Sequence, residues 1–138
     1  GPQRLKLIVM SATLEAKAFE RFFRDPVTLT VPGRRYPVEI LYTQEAQPDF
    51  LDSAIVAVLQ IHTSEPPGGD ILCFLCGQDQ IEDAAGVLEE RAMHLPREAG
   101  KLVICPLYAA LSNADQRAAF APAPPGARKV ILATNIAE

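Results

Sequence analysis

The chain has no apolar stretch approaching 18 residues, and it lacks the layout of a signal peptide. A membrane-spanning helix and a cleaved secretory leader are therefore not expected, and the sequence reads as a soluble protein. It also lacks positive charge in excess: 13 Lys and Arg stand against 17 Asp and Glu, a net charge of −4. Bulk electrostatic binding of nucleic acid is excluded by that balance, so any nucleic-acid grip must be local. Cysteine is scarce, with only Cys73, Cys76 and Cys105. An odd number without framework spacing points away from structural disulfides and toward a reducing compartment. Cys73-x-x-Cys76 would have to open a helix to work as a redox pair. Cys73 instead falls inside a predicted strand, where residues three apart face opposite ways. A zinc site would need Cys105, His62 or His94 to converge from a distance, so buried apolar thiols are expected and no metal site is assigned. No internal repeat is present. The phosphate-cradling pattern G-x-x-x-x-G-K-[ST] is also missing, and there is no initiating methionine; Gly1-Pro2 could be a tag scar or native.

What is present is a chain of 138 residues, 49% apolar, enough for one ordinary core. Proline and glycine punctuate it into alternating elements. Strands are predicted at 5–10, 27–31, 38–42, 70–75, 101–105 and 128–133, and helices at 15–24, 50–62, 79–93 and 113–120. This alternation predicts an α/β fold with a parallel sheet. Asp49 with Asp52, and Ser112 with Asp115, are predicted helix N-caps. Leu51, Ile55, Val58 and Leu59 on one helix, and Ile81, Ala84, Ala85 and Leu88 on the next, form faces that should pack on the sheet.

Two apolar runs end abruptly in small polar residues: Leu5 to Met10 into Ser11-Ala12-Thr13, and Arg128 to Ala133 into Thr134-Asn135-Ile136-Ala137-Glu138. In a parallel sheet ligands sit beyond the strands' carboxyl ends, which is where Ser11, Thr13, Thr134 and Asn135 fall. A third run, Ile71 to Leu75, passes through Cys76-Gly77-Gln78 into a helix whose N-terminal N–H groups could face an anion. A fourth segment is Pro106-Leu107-Tyr108-Ala109-Ala110-Leu111-Ser112, followed by Gln116 and Phe120. Each has a plain alternative. Thr13 could cap the following helix, Gly77 could serve a tight turn, Phe120 could be core, and Thr134 or Asn135 could open a helix.

Taken in order, from about Leu5 to Glu138, these segments resemble the DEAH-box RNA helicases. Ser11-Ala12-Thr13 resembles the S-A-T motif that couples hydrolysis to movement. Ile71 to Glu82 resembles motif IV, with Cys76 in place of the usual threonine. Thr134-Asn135-Ile136-Ala137-Glu138 resembles the start of motif V, and the threonine that would follow it with an RNA contact is not in the chain. The resemblance implies RecA-like lobes of the P-loop NTPase type, represented incompletely. Residues 1–31 would be the C-terminal tail of lobe 1, 32–37 the interlobe linker, and 38–138 the N-terminal part of lobe 2. By composition alone, 32–37 is a loop within one domain.

For the site residues the resemblance implies that Phe120 stacks on the adenine of ATP, and that Gly77, Gln78, Thr134 and Asn135 contact RNA. It implies ATP and Mg²⁺ as ligands of the complete enzyme. The Mg²⁺-binding D-E-A-H box and the residues of motif VI are absent from the chain, so no catalytic residue is assigned within it and the isolated chain is expected to be inactive. The implied partners are RNA, a ribonucleoprotein assembly and an activating protein, with no membrane and a nuclear location. The wording of residues 63–70 and 121–126 is most similar to spliceosomal members, with ribosome-assembly members close behind. The alternative classes are a non-catalytic α/β nucleotide-binding or protein-interaction module, and a redox or zinc protein. Open sheet edges are expected to favour association of the isolated chain, with residues before Val31 less well fixed than the remainder.

Overall fold

The structure, a computed structural model, describes residues 5–10, 16–33 and 36–137. The chain divides into two compact units, Gly1–Leu41 and Tyr42–Glu138.

Among the described residues of the first unit, the regular element is helix α1, Ala16–Phe22. Its aromatic residues associate locally: Phe22 meets Phe23 edge-on at 5.0 Å between ring centroids, and Thr28 Oγ1 donates to Glu20 Oε1 at 2.9 Å. Residues 5–10, 27–31 and 38–42 are not strands, contrary to the expectation from their apolar content. A strand is defined by a partner that takes its N–H and C=O groups. Among the described residues these runs have no ladder, and Leu5, Leu29 and Tyr42 are exposed.

The second unit forms the predicted α/β layer. Helix α2, Phe50–Ser64, leads to β1, Ile71–Phe74; helix α3, Gln78–Ala92, to β2, Lys101–Leu107; and helix α4, Asn113–Ala118, to β3, Ala127–Ala133. The three strands are parallel in the order β1-β3-β2, with Ile71 opposite Val130 and Ile104 opposite Val130 on its other side. Both predicted caps form: Asp49 Oδ1 accepts from the N–H of Leu51 and Asp52, and Ser112 Oγ accepts from that of Asp115. β2 runs two residues past its predicted end, through Pro106. Leu107 O accepts from Thr134 N on the β3 side, so the neighbouring Pro106 turns its nitrogen to the free edge, where a missing N–H disrupts no ladder.

The core lies where α2 and α3 meet one face of the sheet. Ile55 and Val58 from α2, and Ile81, Ala84 and Leu88 from α3, close over Ile71, Leu102, Val130 and Leu132. Ile81 and Leu88 are fully buried, and truncating either to alanine would cost about 2–5 kcal/mol. The period-2 alternation of β3 sends Ile131 and Ala133 to the opposite face, where Ala133 joins Leu107 and Ala119 in a smaller cluster. There β1 is sparsely covered, and Leu72 and Phe74 are exposed. At the entry to β2, Gly100 has φ +76°, and a Cβ there would lie 2.6 Å from Gly126 O, so this left-handed residue must be glycine.

Candidate nucleotide and RNA sites

Parallel pairing brings three chain segments to one edge of the sheet. Leu75 N donates to Ala133 O at 2.8 Å and Thr134 N to Leu107 O at 3.2 Å, so Cys76-Gly77-Gln78, Tyr108 and Thr134-Asn135 all leave the sheet at its carboxyl edge. Gly77, Gln78, Thr134 and Asn135 are thereby gathered on that edge. Ser11, Ala12 and Thr13 lie outside the described residues, as does Glu138.

Gly77 is the N-cap of α3 with extended backbone (φ −166°, ψ 172°), and no side chain caps the helix. A Cβ at Gly77 would meet nothing within 4 Å. Neither strain nor packing calls for glycine at this position, so the tight-turn explanation does not apply. An uncapped helix N-terminus with open space in front of it can receive an anionic oxygen. Cys76 N already donates to Gln80 Oε1 at 3.1 Å, so that donor is engaged within the turn. Cys76 is exposed, against the expectation of a buried thiol, because it has left the strand; Cys73 and Cys105 are half-buried, and burial pushes both thiols above their ordinary range.

Gln78 is held by its neighbours. Its Nε2 donates to Glu82 Oε1 at 2.8 Å, and Tyr108 Oη donates to the same carboxylate oxygen at 2.8 Å. The bond from Tyr108, then that from Gln78, holds the pKa of the Glu82 carboxyl below its ordinary value, and the bond to Glu82 raises the pKa of Tyr108. This bridge ties the start of α3 to the end of β2. At the end of β3, Thr134 opens a single 3-10 turn, Asn135–Ala137, with Ala137 N donating to Thr134 O. Asn135 stays exposed.

Phe120 sits elsewhere. It follows α4 and is 75% exposed, which contradicts the core reading of this residue. With Asn113, Gln116 and Arg117 it lines an open recess of about 330 Å³. Gln116 Nε2 donates to Leu111 O at 3.0 Å, so this side chain holds the loop after Tyr108 in place. The backbone beside Phe120 is anchored by Lys129 Nζ, which donates to Ala119 O at 2.8 Å, and Ala119 itself packs with Leu107 and Ala133 at the ends of β2 and β3.

Arg128 and Lys129 were hidden in the sequence within a run read as apolar. Both are buried at the start of β3 and point to opposite faces. Arg128 donates to the carbonyls of Ile61, Glu65 and Pro66, closing the C-terminal end of α2. Lys129 Nζ donates to Ala119 O at 2.8 Å and Ala121 O at 2.7 Å, with Asp70 Oδ2 at 3.5 Å. The readable signal was two adjacent cations opening a central strand, since buried charges must find acceptors.

No protein-family profile matches the chain. It is 52% identical over 97% of its length to the pre-mRNA-splicing factor ATP-dependent RNA helicase prp22 of Schizosaccharomyces pombe. Identity to the pre-mRNA-splicing factor ATP-dependent RNA helicase DEAH10 of Arabidopsis thaliana is 48% over the same share. The chain spans 11% and 18% of those relatives. Two crystal structures superpose on about three quarters of it. The Escherichia coli DExH-box NTPase HrpB aligns over 76% of this chain and 12% of its own, with TM-score 0.62 and 42% identity. A structure of the E. coli DEAH/RHA helicase HrpB aligns over 77% and 13%, with TM-score 0.60 and 40% identity. The parallel sheet and its helices are those of a RecA-like helicase lobe. By sequence and fold the chain belongs to the DEAH-box helicase family, as a segment of that family's longer proteins.

Proposed function

We propose that this chain is the central segment of an ATP-dependent RNA helicase acting in pre-mRNA splicing, and therefore nuclear. The observation that carries this reading is the 52% identity that extends over 97% of the chain. In the proposal, residues 1–31 belong to the first RecA-like lobe, 32–37 to the joint, and 38–138 to the second lobe. ATP binds between the lobes, and closing and reopening of that cleft moves RNA along the carboxyl edge. Ser11 and Thr13 couple the two events.

Phe120 offers its π-face to the adenine; its exposure and the adjoining open recess support that role. Gly77 and Gln78 at the open end of α3, and Thr134 and Asn135 at the end of β3, contact the RNA backbone. Donors at helix N-termini and small polar side chains suit phosphate and sugar contacts, which position RNA without reading its sequence. The net charge of −4 makes such local contacts necessary.

Mg²⁺ would neutralise the phosphates of bound ATP. Among the described residues no group of three or more His, Cys, Asp or Glu could hold a metal, but Mg²⁺ with ATP needs only one or two carboxylates besides the phosphates, so the reading rests on the missing D-E-A-H box. Its ligands and the hydrolytic groups are assigned to other parts of the protein. The isolated chain is accordingly expected to be inactive. A ribonucleoprotein assembly and an activating protein complete the proposed partners.

The test is Phe120→Ala in the full-length protein, read as equilibrium ATP affinity. Loss of one stacking contact should weaken binding by about 1–3 kcal/mol. Unchanged affinity in a folded variant would remove Phe120 from the nucleotide site.

A further inference from the structure

The segment that carries Phe120 has little packing of its own to fix it. α4 is six residues long and has no buried residue; Ala119, just beyond its end, is the point that enters the smaller core cluster. A helix this short is not stable by itself. Phe120 nevertheless lies between two backbone carbonyls that are both held by one group. Lys129 reaches from β3 to donate to Ala119 O on one side of Phe120 and to Ala121 O on the other, with Asp70 as its third neighbour. Three N–H groups thus face three oxygens. That arrangement offsets the desolvation of an ammonium whose side chain is only 7% exposed.

We propose that Lys129 is a positioning residue for the nucleotide base: by clamping the carbonyls on both sides of Phe120, it holds that ring outward over the recess in a fixed orientation. The inference rests on the proposed stacking role of Phe120. A ring presented in one orientation binds a flat base with less ordering on association than a ring on a loose turn, so the clamp acts through base affinity and not through contact with ligand. Arg128, the adjacent cation, engages only the α2 end and has no path to Phe120.

The experiment compares Lys129→Met and Phe120→Ala, singly and together, in the full-length protein. Affinities are measured for ATP and for inorganic tripolyphosphate, which has no base. Lys129→Met should weaken ATP binding about threefold to tenfold, leave tripolyphosphate affinity within error, and add nothing once Phe120 is alanine. Equal losses for both ligands, or additive losses in the double variant, would overturn the positioning role. So would wild-type ATP affinity in Lys129→Met alongside weakened ATP affinity in Phe120→Ala. Wild-type ATP affinity in Phe120→Ala would overturn the stacking reading and the positioning role with it. Should Lys129→Met not fold, Lys129→Gln takes the same comparisons: it is neutral, keeps two N–H donors at shorter reach, and should show the same ligand selectivity with a smaller loss.

Discussion

Glu82 shows how much one exposed side chain can organise when it receives two donors. Tyr108 and Gln78 both donate to its Oε1, and Gln78 is itself a proposed RNA contact. The carboxyl's lowered value means that its share of stability is present above the ordinary carboxylate value and is lost as pH falls through the lowered one. The raised phenol of Tyr108 has the opposite sign: its share is present below the ordinary phenol value and is lost as pH rises through the raised one. The bridge should therefore be whole between about pH 4.3 and pH 10, the ordinary values of the two groups. Ring resonances of Tyr108 followed by NMR should show its titration moving down toward the ordinary range in Glu82→Gln. A titration unmoved by that substitution would show that the bridge does not form in solution. Nothing in the sequence pairs residues 82 and 108, since the contact depends on how α3 lies across the ends of β1 and β2.

At the scale of elements, the contrast between two glycines separates what folding needs from what function needs. Gly100→Ala should destabilise the fold by more than about 1 kcal/mol, because the left-handed backbone and the 2.6 Å approach to Gly126 O both oppose a side chain. Gly77→Ala meets no such obstacle, so its thermal unfolding should match wild type while RNA affinity of the full-length protein falls. RNA affinity equal to wild type in Gly77→Ala would remove the α3 N-terminus from the RNA path. Most elements of the second unit were legible because each depends on local pattern: the apolar faces of α2 and α3, the Asp49 and Ser112 caps, and the apolar body of β3. Runs 5–10, 27–31 and 38–42 misled for the complementary reason. Apolar content marks a segment fit for a sheet, but a strand exists only where a neighbour supplies the ladder. Phe120 at the end of a short helix was equally compatible with core and with surface by spacing alone. The carbonyls on either side of it are bonded by Lys129, nine residues away.

Across the whole molecule, the second unit combines polar strand ends along the carboxyl edge of one three-stranded sheet with an exposed aromatic ring whose neighbour Ala119 packs on the second face. The order of the motifs and the class of fold could be read from the sequence. The clamp of Lys129 and the cap made by Arg128 could not, because the two cations sit in a strand whose other members are apolar. The central claim is that this sheet belongs to an RNA-dependent ATPase, and the most direct measurement is phosphate release from ATP by the full-length protein with and without single-stranded RNA. The account predicts hydrolysis that RNA accelerates and that the 138-residue chain alone does not perform. Hydrolysis indifferent to RNA, or hydrolysis by the isolated chain, would contradict it.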